Sequence, residues 1–598
     1  MSSGLSRREA LVLSAAAGLS GLTGCSRPGS SAPETSDEVF KTLASDWLRS
    51  YTRQRPSAAT GLGEHAFDSE LEDVSEPGRQ ASSAEVEAFR QRLAAIDRSA
   101  LSRDNQVDAV MLSEHLEGQL FTYVDLQDWK WDPLRYSEAA GNALYSLMAR
   151  DFGPLPERLL SAAARMEKLP QFMDQAQQSL LPEKTPKIHA ETYLAQMDGV
   201  ISIIENLIEP QASVLRPNDL SRLKSAAEAA KSAVGAHRSW IRSTLIPAAS
   251  GDFRIGSELF ETKLRLTLSA TLSGGDLRQQ AMKDIDGVRD EMFDIARTAL
   301  SVNNSNERLG PAPSAEQKDS AIRAALTLAY ADRPSREDLF SRAAETLETT
   351  TRFVRERDLI TLPDAPVRVI EMPEFQQGVA VAYCDSPGPL DRHLETFYAV
   401  SPIPTSWSEE RTQSFLREYN SRSIDELTIH EAMPGHFVQL WHANRHPSTL
   451  RAVLGSGTFI EGWACYAEDM MSEVRDAPGD PLRKLITLKW RLRSIANAAL
   501  DHGVHVDSWS EADAMSFMTG AALQEESEAR GKWTRARVSS TQLSTYYVGW
   551  REHHALREEA KRRWMGEFSL KRYHDTVLSH GSPPARLVRA LMFNETIP

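Results

Sequence analysis

Apolar residues recur at helical spacing through most of the first 371 positions, and this pattern restricts the chain to a fold built chiefly of packed helices. In "PERLLSAAARMEKLP", residues 156–170, Leu159, Ala162, Met166 and Leu169 follow one another at intervals of 3, 4 and 3. Side chains so spaced share one helix face, and the flanking prolines mark its expected ends. Similar stretches lie at 82–96, 188–207, 220–241 and 335–355, with no repeat period linking them; they read as core faces. Residues 301–319, rich in Asn, Pro and Ser, predict a surface loop. Three β-rich runs then follow, "VRVIEM" (367–372), "GVAVAYC" (378–384) and "ETFYAVS" (395–401), and predict a small sheet. The expected fold class is mainly α with that small β-sheet, in two lobes: residues 39–370 and residues 371–598.

The longest apolar run sits at the N-terminus. "SRREALVLSAAAGLSGLTGC" sets Arg7 and Arg8 before an apolar middle, residues 10–22, and small residues up to Cys25, which is the layout of an export signal. "LTGC" (22–25) resembles a bacterial lipobox and "SRREAL" a twin-arginine signal. Removal of residues 1–24, lipidation of Cys25 and a location in the cell envelope are therefore expected, with residues 25–38 as a flexible tether. No stretch approaches the ~20 uncharged apolar residues of a membrane helix, so the lipid is the only expected membrane contact. The net charge is −15, and −16 once Arg7, Arg8 and Glu9 are removed with the signal. So acidic a chain repels phosphate backbones, and nucleic acid is not an expected partner. With Cys25 lipidated, Cys384 and Cys465 allow at most one disulfide.

The chemistry concentrates in "HEAMPGH", His430 to His436. Ser423 and Glu426 fit a capping box, which makes "SIDELTIHE" helical with His430 about two turns in. Zinc proteases commonly place two histidines four apart on one helix, with a glutamate beside the first as general base. Here the histidines are six apart, which on an unbroken helix turns the second about 240° away from the first. Pro434 disfavours helical geometry at Met433, and Gly435 tolerates unusual dihedrals; the pair predicts a bulge that returns His436 to the same ion. The bland alternative is two unrelated histidines at a helix end.

A third ligand is available. In "TFIEGWACYAE" (458–468), Glu461 follows His436 by 25 residues on a segment that reads as a buried helix. An acid among Phe459, Ile460, Trp463 and Tyr466 is costly unless it binds a cation. Two histidines and a glutamate leave one zinc position for water. "EGWA" resembles the ligand segment of zinc aminopeptidases. Glu468, seven residues on and on the same face, either orients a ligating imidazole or is a solvated carboxylate. Cys465 reads as a small buried hydrophobe.

With these motifs the chain resembles the bacterial domain of unknown function family 885 (DUF885), marked by His-Glu-Ala-x-Pro-Gly-His and Glu-Gly-Trp-Ala. "FYAVSPIP" (397–404), "DHGVHVDSWSEADA" (501–514), "TQLSTYYVG" (541–549) and "YHDTVLSHGSPP" (573–584) resemble further family segments, with Leu543 in place of the usual Ala and Ala536 in place of the tyrosine that usually follows the arginine at Arg535. The resemblance implies a mostly helical, two-lobed zinc peptidase. On that reading His430, His436 and Glu461 hold one Zn2+, and Glu431 is the general base. Tyr546 stabilises the oxyanion, with His574 or His505 as further candidates. The strand at 395–401 is expected to pair with an extended peptide substrate. Two other readings stay open: a non-catalytic envelope binding protein, and a zinc hydrolase of a non-peptide amide or cell-wall fragment. Substrate sequence, site of cleavage and oligomeric state are not legible.

Overall fold

In the computed structural model, which describes residues 35–302, 313–377, 380–475 and 480–598, the stripe of residues 156–170 is the buried face of a longer helix, Leu155–Ser179. Leu159, Ala162, Met166 and Leu169 are fully buried there. Pro170 does not end the helix, contrary to the expectation from sequence. Phe172, Met173 and Ala176 carry the same face onward into the same core. Each large side chain buried contributes about 1.5–3 kcal/mol, enough together to offset the roughly 3 kcal/mol of an internal proline. The other predicted stretches form helices Glu76–Ala94, Lys187–Ile203, Pro217–Trp240 and Leu339–Glu356. Helix Ala315–Tyr330 starts within the stretch expected as a loop, held by a reciprocal cap between Ser314 and Gln317. Residues 303–312, the signal, Cys25 and the tether up to residue 34 lie outside the described residues. Among the described residues, no helix is long and apolar enough to cross a membrane.

The architecture is mainly α with one three-stranded sheet. The expected lobes, residues 39–370 and 371–598 of one continuous domain, share apolar cores. The largest apolar core joins Phe260, Met292 and Leu326 to Tyr398, Leu485 and Tyr547, because helices Gly274–Val302 and Pro481–His505 lie along one another. A second core sets Leu450, Leu454 and Leu587 among Phe40, Trp47 and Leu112 of the N-terminal helices. Across that seam the fully buried Arg451 donates to Asp108 Oδ1 at 2.7 Å and to the Asp104 carbonyl at 2.8 Å. Removing one partner of such a pair strands a charge at a cost of about 3–5 kcal/mol, so the halves are locked together.

The sheet comprises β1 (Val367–Glu371), β2 (Ala382–Asp385) and β3 (Thr396–Val400), in the order β1-β3-β2. β3 pairs parallel with β1 and antiparallel with β2. It is therefore the central strand, its backbone engaged on both sides, and it has no free edge for a peptide; the expectation for residues 395–401 is corrected. The outer edges of the sheet belong to β1 and β2. The Val381 carbonyl accepts from Ser401 N–H at 2.8 Å, and the antiparallel alternation turns the backbone groups of Ala382 and Cys384 away from β3.

Candidate metal centre

The helix that carries His430, Ser421–Glu431, starts three residues earlier than the capping box implied. Asn420 caps it, accepting from the N–H groups of Arg422 and Ser423, while Glu426 accepts instead from Thr487 Oγ1 at 2.7 Å. After Glu431 the chain leaves helical geometry at Ala432, passes through a cis Met433-Pro434 bond and resumes as helix His436–Ala443. The interruption is thus a break between two helices rather than a bulge in one. Two features hold it. A Cβ at Gly435 would fall 1.9 Å from the His430 carbonyl oxygen and 2.2 Å from that of Ile429, so only glycine fits. The Pro434 carbonyl accepts from Trp463 Nε1 at 3.0 Å in a buried position.

Trp463 belongs to helix Gly457–Val474, which carries Glu461 and crosses helix Ser544–Trp564 at glycine on both sides. A Cβ on Gly462 would meet the Gly549 backbone at 2.3 Å, and one on Gly549 the Thr458 carbonyl at 2.0 Å. This close approach brings Glu461 and Tyr546 into one cavity of about 310 Å³ with His430, Glu431 and His436. Glu461 Oε2 lies 3.5 Å from His430 Nε2 and 3.4 Å from His436 Nε2. On the far side of the ring, His430 Nδ1 lies 2.6 Å from Glu468 Oε1. Glu468 is buried, which removes the solvated reading of this carboxylate.

The electrostatics follow from that packing. Burial pushes the Glu461 carboxyl up, but the two imidazoles outweigh it and hold the group well below the usual carboxylate range. Burial likewise opposes a charge on His430, yet Cys465, Glu461 and Glu468 together hold its pKa well above the ordinary value. Contacts of 3.4 and 3.5 Å are charge contacts only, and Glu461 Oε2 is a buried oxygen without a hydrogen bond. A cation removes that anomaly. Ligand atoms ~2.1 Å from a zinc ion at tetrahedral angles stand roughly 3.4 Å apart, so the spacing and the borderline donor set both suit zinc. A second group, His430, Cys465 and Glu468, also lies close enough to surround an ion. It fits less well: His430 Nδ1 is committed to Glu468, and burial pushes the Cys465 thiol up to about 11. Cys465 and Cys384 are both free thiols.

No curated protein matches the chain. The profile of a family described as "Bacterial protein of unknown function (DUF885)" matches residues 56–592. The chain belongs to that family. A solved structure of a candidate lipoprotein of unknown function from Shewanella oneidensis is similar at 31% identity, with a TM-score of 0.76, over 93% of this chain and 99% of that one. A candidate lipoprotein from Colwellia psychrerythraea, 17% identical, shares the fold at a TM-score of 0.75 over 94% and 99% of the two chains.

Of the six DUF885 segments in the sequence, three meet at the cavity and three, residues 397–404, 501–514 and 573–584, do not. The His-Glu-Ala-x-Pro-Gly-His motif supplies His430, Glu431 and His436, Glu-Gly-Trp-Ala supplies Glu461, and residues 541–549 supply Tyr546. Tyr546 stacks on His430 with ring centroids 6.2 Å apart, and its hydroxyl accepts from Arg535 Nη2 at 2.8 Å. His574 is a correction. It is fully buried on another side of helix Gly457–Val474, with Nε2 against Tyr466 Oη and Nδ1 against the Leu359 carbonyl, each at 2.8 Å. Burial pushes its pKa down to about 4, which leaves a neutral ring with both nitrogens occupied. His505 also lies off the cavity, its Nε2 directed at the carbonyls of Ala536 and Ser539 at 2.8 Å each. Sequence reasoning missed Arg493 and Lys532, which line the same cavity. They carry no motif: Lys532 lies in the charge-rich helix Glu526–Val538 and Arg493 follows several other cations on helix Pro481–His505, so the sequence does not single them out.

Proposed function

We propose that the protein is a zinc-dependent peptidase of the cell envelope that hydrolyses extended peptides. The observation that carries this reading is the convergence of two imidazole nitrogens on Glu461 Oε2, with Glu431 on the wall of the same cavity. His430, His436 and Glu461 would hold the ion. Zinc bound there lowers the pKa of a water and polarises a carbonyl. Glu468 accepts from His430 Nδ1–H and so directs the Nε2 lone pair inward. Glu431 takes the proton of the attacking water and hands it to the departing amine. Tyr546 accepts from Arg535, which leaves its own proton free to donate to the tetrahedral oxyanion. The open edge of β2 runs along the cavity through Ala382, Tyr383 and Cys384, and its free backbone groups suit an extended peptide. The lipobox-like Cys25 and the similarity to candidate lipoproteins support a lipid anchor and an envelope location.

The test is elemental analysis beside a peptide-cleavage assay. Near one zinc per chain is expected, lost in His436→Ala and Glu461→Ala. Glu431→Gln should keep its zinc and lose at least ~100-fold in turnover. Undiminished turnover in Glu431→Gln would overturn the general-base role, and cleavage of muropeptides but not of peptides would replace the substrate class.

A further inference from the structure

Behind the cavity of the candidate metal centre lies a second one of about 180 Å³, and the two share Arg493, Lys532 and Arg535 as walls. With Arg411 added, the second cavity has four cationic side chains and a single carboxylate, Glu528, among the described residues. Glu528 is already engaged: Arg493 Nη2 lies 2.8 Å away and Tyr419 Oη donates at 2.9 Å. Lys532 is buried, donates to Asn497 Oδ1 at 3.0 Å and reaches Glu528 only at 3.7 Å. Arg535 bonds to neutral groups, Gln542 Oε1 at 2.9 Å and Tyr546 Oη at 2.8 Å, and no described carboxylate pairs with it. Burial, with Arg493 beside it, pushes the Lys532 ammonium well below its ordinary range, the mark of a cation short of an anion. Buried cations persist when an anion completes the set.

The position of this surplus charge relative to the metal ligands limits the anion. The His430 ring lies 6.2 Å from the Tyr546 ring, which in turn lies 5.7 Å from Arg535 Cζ. Those two steps confine Arg535 to within roughly three extended residues of the ligands. Ile403, Trp407 and Phe415 line the apolar side of the second cavity, beside the cations.

We propose that Lys532 and Arg535 bind the free α-carboxylate at the C-terminus of a peptide substrate, whose last side chain enters the pocket of Ile403, Trp407 and Phe415. The proposal rests on the peptidase reading and deepens it: the enzyme works from the carboxyl end and releases short C-terminal fragments. Arg493, paired with Glu528, positions the wall and does not touch the substrate.

Matched N-blocked peptides ending in a free carboxylate or in an amide test this on the zinc-loaded protein. The acid should be cleaved about 100-fold faster in kcat/KM than the amide. Lys532→Met and Arg535→Gln should bring that ratio towards one, whereas Tyr546→Phe lowers both rates and leaves the ratio. Cleavage of acid and amide at equal rates overturns the carboxylate site while the peptidase reading stands. If neither peptide is cleaved, the peptidase reading fails and binding decides the site. For this, the metal-free protein, in which no zinc can capture the carboxylate, is titrated calorimetrically with N-acetyl-leucine and N-acetyl-leucinamide. Preference for the acid, lost in Lys532→Met, supports the site; equal binding, or no acid binding at millimolar concentration, overturns it.

Discussion

Replacing Gly435 by alanine tests whether the helix break builds the centre. The added Cβ would stand 1.9 Å from the His430 carbonyl oxygen and 2.2 Å from that of Ile429, where ordinary contact begins at 3.4 Å, so the shortfall is about 1.5 Å. Both contacts are backbone, and no side chain can rotate away. The two helices must separate, and His430 and His436 sit one on each. Metal sites tolerate about 0.2 Å in ligand position, so a displacement several times larger should cost at least ~100-fold in zinc affinity, about 2.8 kcal/mol. The fold itself should lose only about 1–3 kcal/mol, because the other cores are untouched. For a chain of this size that lowers Tm by a few degrees and leaves the protein folded at 25 °C. Zinc affinity is measured by competition with a chromogenic chelator, and folding by circular dichroism on the same samples. A dissociation constant within threefold of the parent protein, with Tm unchanged, refutes the argument.

Two further outcomes follow from the carboxylates behind the ligands. Glu468→Gln removes the charge that His430 Nδ1 meets at 2.6 Å and should weaken zinc about 10-fold in the same titration; an unchanged constant would show that Glu468 does not tune the ligand. Glu426 is buried beside Glu468, and burial first, then that neighbour, pushes its carboxyl up to about 8. A carboxyl raised in the folded state binds its proton more tightly there than in the unfolded chain, so its stability contribution is complete below the unfolded value near 4.5 and is lost as pH rises towards 8. Glu426→Gln should therefore raise Tm little at pH 5 and progressively more up to pH 8, and a Tm gain that does not grow with pH would contradict the raised value.

Much of the site was legible because its logic is local. His430 and Glu431 are neighbours, Glu461 is an acid within an otherwise largely apolar helical stretch, and Glu468 lies two turns further along the same face. Pro434 and Gly435 announced a disturbance at the right place but not its form, which depends on Trp463 reaching the Pro434 carbonyl from another helix. Ser423 looked like a cap because the capping pattern is short, and Asn420 is the residue that meets the free N–H groups. His574 shared a family segment with no bearing on where helix Leu570–Ser579 packs.

By itself, the sequence determined that the chain folds mainly into helices, which faces those helices bury and which residue types could share an ion, because periodicity and donor chemistry are properties of short segments. Only the tertiary structure decided that β2 rather than β3 offers an open edge, that Gly462 meets Gly549 and carries Tyr546 over His430, and that Arg493, Lys532 and Arg535 gather behind the ligands. Each of these is a contact between residues far apart in the chain, set by how closely two backbones can approach and by where a buried charge finds its partner.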